Sequence, residues 1–331
     1  MAAQEGPVVP QIRIATEAGA CYGVERALHM VEDAAAEPGA RVSTLGPLIH
    51  NPRVVAELAS AGVGVVASPA EAAGGTLVLR THGVTPDEQA LAERTCAHVL
   101  DATCPFVKKV HVAAERLARE GYQVVVVGEA GHPEVEATLA HAAGAVVVGT
   151  PAEARALPHA RKVGVVVQTT ARRALLAEVV GELLGVAEEV RVVNTICEAT
   201  SGHQASCAAL AAEADVMLVV GGRISANTTH LAEISRGLCP RTHHVEGADE
   251  LRAEWFCGAA LVGITAGAST PASHIEAVRA EVARLVGAGE TGVVGSDADA
   301  VSDAAGLAGV VTADVSDVEG AGTPDAALGT E

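Results

Sequence analysis

The sequence predicts an α/β protein built from three similar small α/β units. Two observations carry this reading. Short apolar runs end near a cysteine and pass straight into helix-period segments three times, at Cys21, Cys104 and Cys197, which lie 83 and 93 residues apart. From each cysteine to the next strand-to-helix joint the spacing is then 29, 28 and 28 residues, a regularity that chance rarely supplies. The period is too long for a solenoid repeat, but it suits units near the smallest size of a domain. Open α/β sheets place their sites at the carboxyl ends of parallel strands, so three such units could point three thiolates at one place.

The first unit opens on a strand at residues 12–15. After Cys21, Val24, Ala27, Leu28 and Val31 recur at helical spacing and give one buried face. A strand at 42–45 leads to Gly46-Pro47-Leu48-Ile49-His50-Asn51-Pro52, where Asn51 is a good N-cap and Pro52 a good first helical residue. Residues 76–80 form a further strand ending at Thr81-His82-Gly83. The second unit repeats the plan. Pro105 opens a helix that runs to Arg119, Gly121 stops it, and a valine-rich strand follows at 123–127. Gly131-His132-Pro133-Glu134 is again a turn opening a helix, and the strand at 163–167 ends at Gln168-Thr169-Thr170. In the third unit the strand at 216–220 precedes Gly221-Gly222-Arg223-Ile224-Ser225-Ala226-Asn227, and that at 261–265 precedes Gly267-Ala268-Ser269-Thr270-Pro271. The expected divisions are 11–103, with 280–297 returning to it, then 104–196 and 197–279. Residues 298–331, acidic and without lysine or arginine, are expected to be a disordered tail.

Composition narrows the function classes. A formal charge of −19 argues against a nucleic-acid or membrane-surface binder, because both polyanions demand a dense basic patch. No stretch approaches about 18 uninterrupted apolar residues and no basic n-region precedes an apolar run, so a cytoplasmic protein is expected. Seven scattered cysteines therefore read as thiols or metal ligands and not as a disulfide frame.

A single buried cysteine is usually core packing. Triplication at equivalent joints changes that balance. Three thiolates leave one position of a cubane cluster or a tetrahedral metal open, as a catalytic site needs. The paired knuckle of structural zinc is missing, and Cys96, Cys207, Cys239 and Cys257 fall outside the joints. Helix N-termini present free N–H groups and partial positive charge, so Ser225, Asn227 and Ser269 beside glycines suit a phosphate, with His50 and His82 as further donors. His132 and Glu134 place an imidazole and a carboxyl at one joint, suited to proton delivery. Alone, each of these is more often a cap or a surface turn.

Taken together, Ala18-Gly19-Ala20-Cys21-Tyr22-Gly23-Val24-Glu25-Arg26-Ala27, Ile49-His50-Asn51-Pro52, Thr81-His82-Gly83-Val84, Asp101-Ala102-Thr103-Cys104-Pro105, Gly131-His132-Pro133-Glu134-Val135-Glu136, Gln168-Thr169-Thr170, Thr195-Ile196-Cys197 and Thr265-Ala266-Gly267-Ala268-Ser269-Thr270-Pro271 resemble the 4-hydroxy-3-methylbut-2-enyl diphosphate reductase family. The resemblance implies a pseudo-threefold trefoil around a central 4Fe-4S cluster held by Cys21, Cys104 and Cys197, with one iron open to the substrate hydroxyl. It implies reductive dehydroxylation to isopentenyl and dimethylallyl diphosphate, the last step of the non-mevalonate pathway. Glu134 then corresponds to the proton source, His132 to part of its relay and Thr169 to a partner of the hydroxyl. His50, His82, Ser225, Asn227 and Ser269 correspond to diphosphate ligands, and ferredoxin or flavodoxin to the electron donor. The chain departs from the family pattern at Ala20, His203 and Ala226, the last where a second serine is usual. Two other readings are a diverged paralogue acting on another allylic phosphate and a non-catalytic iron-sulfur or diphosphate-binding protein. Glu134 and Thr169 argue against the latter, since a binder has no use for a proton donor.

Overall fold

Parallel strands alternate with helices from Gln11 to Val286, and the computed structural model describes residues 9–287. In chain order the elements begin with β1 (Gln11–Ile14), α1 (Tyr22–Ala36), β2 (Val42–Leu45), α2 (Pro52–Ser60), β3 (Gly64–Val66), β4 (Thr76–Leu79), α3 (Pro86–Thr95) and β5 (His98–Asp101). Next come α4 (Pro105–Arg119), β6 (Gln123–Val127), α5 (Pro133–Ala140), β7 (Val146–Val148), α6 (Pro151–Arg155), β8 (Ala160–Val167), α7 (Arg173–Leu183) and β9 (Ala187–Val192). The last stretch holds α8 (Glu198–Ala211), β10 (Val216–Val220), α9 (Ala226–Leu238), β11 (Thr242–Val245), β12 (Leu261–Ala266) and α10 (Ala272–Val286). Proline at the first position of α2, α4 and α5 marks those starts, as its missing N–H costs nothing there.

Three four-stranded parallel sheets result, ordered β3-β2-β4-β5, β7-β6-β8-β9 and β11-β10-β12-β1. The pattern is the same each time. Counting strands from each cysteine, the second lies outside the first, followed by the third and fourth. The first and third strands are therefore neighbours whose outgoing connections diverge, which opens a crevice at their carboxyl ends. All the histidine, threonine and serine candidates follow a first or third strand. Central strands covered by helices read as apolar runs, and every residue of β10 and β12 is buried.

The first strand departs from expectation. β1 does not head the first sheet but pairs with β12, with Gln11 opposite Leu261 and Ile14 opposite Ile264. It supplies the fourth strand that the other sheets take from the chain just before their next cysteine. Residues 280–286 likewise belong to α10, whose Ile275, Val278 and Val282 pack with Ile12 in the third unit's core and not in the first unit's. Contiguity in sequence carried no information about this pairing, because strands about 250 residues apart meet only through tertiary closure. Residues 288–297 and the expected tail at 298–331 lie outside the described residues. The outer strands β3, β7 and β11 were not anticipated either. They have three or four residues each and lie at the sheet edges, so no periodic signal develops.

Candidate functional site

Each of the three cysteines is the N-cap of a helix: Cys21 of α1, Cys104 of α4 and Cys197 of α8. Their backbone N–H groups donate to Ala268 O at 3.1 Å, Thr81 O at 3.0 Å and Thr169 O at 3.1 Å, which pins every cysteine to the joint after the third strand of the preceding unit. This is one contact repeated three times around the ring. The sulfurs converge. A Cβ built on Gly23 would lie 2.7 Å from Cys104 Sγ and 3.9 Å from Cys21 Sγ, so the two sulfurs flank a residue that has no room for a side chain. Cys104 also feels the charges of Cys21 and Cys197, and Cys197 those of Cys21 and Glu134.

Burial pushes the Cys104 and Cys197 thiols up, and local donors oppose it. Those donors are the N–H groups of Phe106 and Val107 at Cys104, and the N–H and hydroxyl of Thr200 at Cys197, at 3.3 and 2.9 Å. Three sulfurs at three helix N-termini form a donor set suited to soft or borderline iron, and among the described residues no fourth cysteine joins them. Cys207 instead packs in the third unit with its sulfur 3.1 Å from Ser235 Oγ.

Beside the sulfurs lies Glu134, at the first turn of α5 and only 2% exposed. Its Oε1 accepts from Thr169 N at 2.6 Å and its Oε2 from Thr169 Oγ1 at 2.8 Å. Burial pushes the carboxyl up to about 7, the two Thr169 bonds pulling the other way. A carboxyl so placed holds a proton near neutrality. His132 precedes it as N-cap, and its Nδ1 accepts from Glu134 N at 3.1 Å.

That bond decides what the adjacent histidines can bind. His50, His82 and His132 bring ring nitrogens within 4.8 Å of one another, His50 and His82 stacked at 4.0 Å and His132 edge-on to both. Such a trio could ligate a cation. With Nδ1 accepting, however, the neutral His132 ring carries its proton on Nε2 and offers a donor, not a lone pair. Burial, then the charge of His50, lowers His132 to about 4, and burial followed by neighbouring positive groups lowers His50 and His82. Each neutral ring offers one N–H donor, His132 its Nε2–H, which suits an anion.

The other side of the crevice repeats the theme. Among the described residues, both ring nitrogens of His50, Nδ1 of His82, both amide atoms of Asn227 and the hydroxyl of Ser269 are buried without a partner. Each unsatisfied polar group costs about 1–3 kcal/mol, so their concentration in one crevice points to a polar ligand that would pair them. Ser225 caps α9 through Thr228 N at 3.4 Å. Asn51 Nδ2 donates to Ser269 O at 2.8 Å, and a Cβ on Gly222 would meet His50 O at 2.5 Å, so the first and third units are in close contact here. The LytB protein family profile matches residues 12–283.

This chain belongs to the LytB family. It is 49% identical over 269 residues to the 4-hydroxy-3-methylbut-2-enyl diphosphate reductase of Geobacter sulfurreducens, covering 81% of this chain and 95% of that one. The Aquifex aeolicus protein of the same name is 45% identical over 279 residues, covering 83% and 96%. A solved structure described as (E)-4-hydroxy-3-methyl-but-2-enyl diphosphate reductase, the terminal enzyme of the non-mevalonate pathway, superposes with a TM-score of 0.61 at 45% identity, over 82% of this chain and 99% of that one. A Plasmodium falciparum reductase, 24% identical, shares the fold with a TM-score of 0.75 over 81% and 86%.

In this LytB chain the structure brings the sequence-derived candidates together: Cys21, Cys104, Cys197, Glu134, Thr169 and His132 in one group, His50, His82, Ser225, Asn227 and Ser269 around the adjoining crevice. Sequence reasoning missed Gly23 and Thr200. Thr200 lies three residues after Cys197, the position where a side chain reaches back to its cap, and that spacing was a usable signal. Gly23 matters through Cys104, 81 residues away in sequence.

Proposed function

We propose that this chain reduces (E)-4-hydroxy-3-methylbut-2-enyl diphosphate to isopentenyl and dimethylallyl diphosphate, with a 4Fe-4S cluster held by Cys21, Cys104 and Cys197. The observation that carries the reading is the juxtaposition of three helix-capping cysteines, a buried carboxyl whose pKa burial raises to about 7, and a crevice of polar atoms left unpaired among the described residues. When bound, the cluster would supply electrons and one iron open to an oxygen ligand. Three thiolates from the chain and no fourth fit that group.

The chain's own part is binding and proton delivery. His50, His82, Ser225, Asn227 and Ser269 hold the diphosphate, neutral imidazoles and the α9 N-terminus donating to its oxygens. Glu134 holds the proton. With Glu134 protonated on Oε2 the 2.8 Å contact reverses, the carboxyl O–H donating to Thr169 Oγ1 and freeing the Thr169 hydrogen to pass to the departing hydroxyl, so the pair serves as a short relay. In the balanced reaction the allylic C–O bond breaks, the hydroxyl leaves as water with one proton, and the allyl unit takes two electrons and a second proton. A one-electron protein donor of the ferredoxin or flavodoxin class supplies the electrons.

The test is turnover by anaerobically purified protein with reduced methyl viologen, alongside iron and sulfide content. Product formation with about four irons per chain is expected for the parent, and Cys104→Ser should lose the cluster signal. An iron content unchanged in that variant, or no dehydroxylation by cluster-loaded parent, would overturn the reading.

A further inference from the structure

We infer that His111, on the helix that begins after Cys104, is a positioning residue for substrate: its ring braces the Thr81–Gly83 turn and so sets the imidazole of His82. The inference rests on the reading of His82 as a diphosphate ligand.

His111 lies two turns into α4, where a residue spaced seven from the cap returns to the same face. It is only 7% exposed. A Cβ built on Gly83 would stand 2.6 Å from His111 Cε1 and 3.2 Å from Nε2, so the ring occupies the space a side chain at 83 would need. Gly83 also has φ +79°, in the left-handed region that glycine adopts without strain. His141 stacks on the same ring at 4.1 Å and is itself held by Glu115 at 2.7 Å.

The two ends of the turn are secured differently. Thr81 bonds Leu48 O through both its N–H and hydroxyl, at 3.2 and 2.9 Å, and its carbonyl receives Cys104 N–H. On the far side, Gly83 N–H reaches only Arg80 O within the turn, and the position a side chain would take is faced by the flat ring of His111, with Thr103 Cγ2 next at 3.5 Å. His82 itself makes no hydrogen bond among the described residues and is held by its stack with His50, its edge contact with His132 and the backbone beneath it. A core histidine with no further role is a poor explanation. Among the described residues His111 Nε2 is buried without a partner, a cost that an apolar side chain would avoid. The ring also borders a cavity of about 270 Å³ between the first two units, so truncation would let the turn relax into open space and would not be refilled by packing.

A brace acting only through His82 changes ground-state and transition-state binding alike, which raises KM and leaves kcat nearly unchanged. Holoenzyme is therefore assayed as parent, His111→Ala, His82→Ala and the double variant, reading KM, kcat, iron content and the Kd for inorganic pyrophosphate by calorimetry. His111→Ala should weaken pyrophosphate and raise KM by about five- to tenfold, with kcat within about threefold and iron unchanged. In the His82→Ala background the same change should have little further effect, because residues that act through one another are not additive. Should His111→Ala assemble its cluster poorly, His111→Gln, which keeps a planar group at similar reach, carries the cycle. Additive weakening in the double variant, a loss confined to kcat, or unchanged pyrophosphate binding by a parent that does bind it would overturn the role of His111 alone. A parent that does not bind pyrophosphate would overturn the diphosphate reading and this inference together.

Discussion

Replacing Glu134 by Gln separates the carboxyl's proton from its shape. The side chain has an ordinary value of 4.5 and stands at about 7 in the fold, displaced by burial. Between these values the folded chain keeps a proton that the unfolded chain has released, so stability falls as pH rises through this window. A displacement of that size corresponds to a loss of roughly 3 kcal/mol, absent below about pH 4.5 and complete above about pH 7. Gln has no such titration. It keeps the bond from Thr169 N but cannot satisfy every amide hydrogen, a loss of about 0.5–1.5 kcal/mol. Glu134→Gln is therefore expected to be about 2 kcal/mol more stable than the parent at about pH 8 and slightly less stable at about pH 4, read from paired urea titrations of cluster-free protein. Activity should move the other way. Turnover of the cluster-loaded variant should drop by about 10²-fold or more, the scale of general acid catalysis, while the parent's turnover falls off above about pH 7. A variant that turns over at the parent rate with its cluster intact would refute the assignment, as would a stability difference independent of pH.

Gly23→Ala introduces a methyl group 2.7 Å from Cys104 Sγ, so iron per chain should fall sharply while far-UV circular dichroism is unchanged. Ala226→Ser adds a hydroxyl at the first turn of α9, and pyrophosphate binding measured by calorimetry should tighten by up to about tenfold, one neutral hydrogen bond being worth about 0.5–1.5 kcal/mol. Asn51→Ala removes the α2 cap, with its bonds to Arg53 and Val54 N–H, and the link to Ser269 O. It should lower unfolding stability by about 1–3 kcal/mol and also raise KM, since the cap and the cradle share that side chain.

The joints of this protein are written locally. Pro52, Pro105 and Pro133 start helices because a ring without N–H belongs at the first helical position, Asn51 caps because its carbonyl reaches two backbone N–H groups, and the valine runs of β6 and β10 can only be buried strands. Because the candidate residues sit at or beside these joints, Cys21, Cys104, Cys197, Glu134 and the histidines are legible from residue type and spacing alone. Tertiary structure alone decided what those joints face. It paired β1 with β12, placed Gly23 between two sulfurs and buried Glu134 against Thr169. Each of these is set by segments dozens to hundreds of residues apart. Caps and turns are fixed by sterics and hydrogen bonds within a few residues, whereas convergence depends on how whole sheets close against one another, which no local pattern encodes.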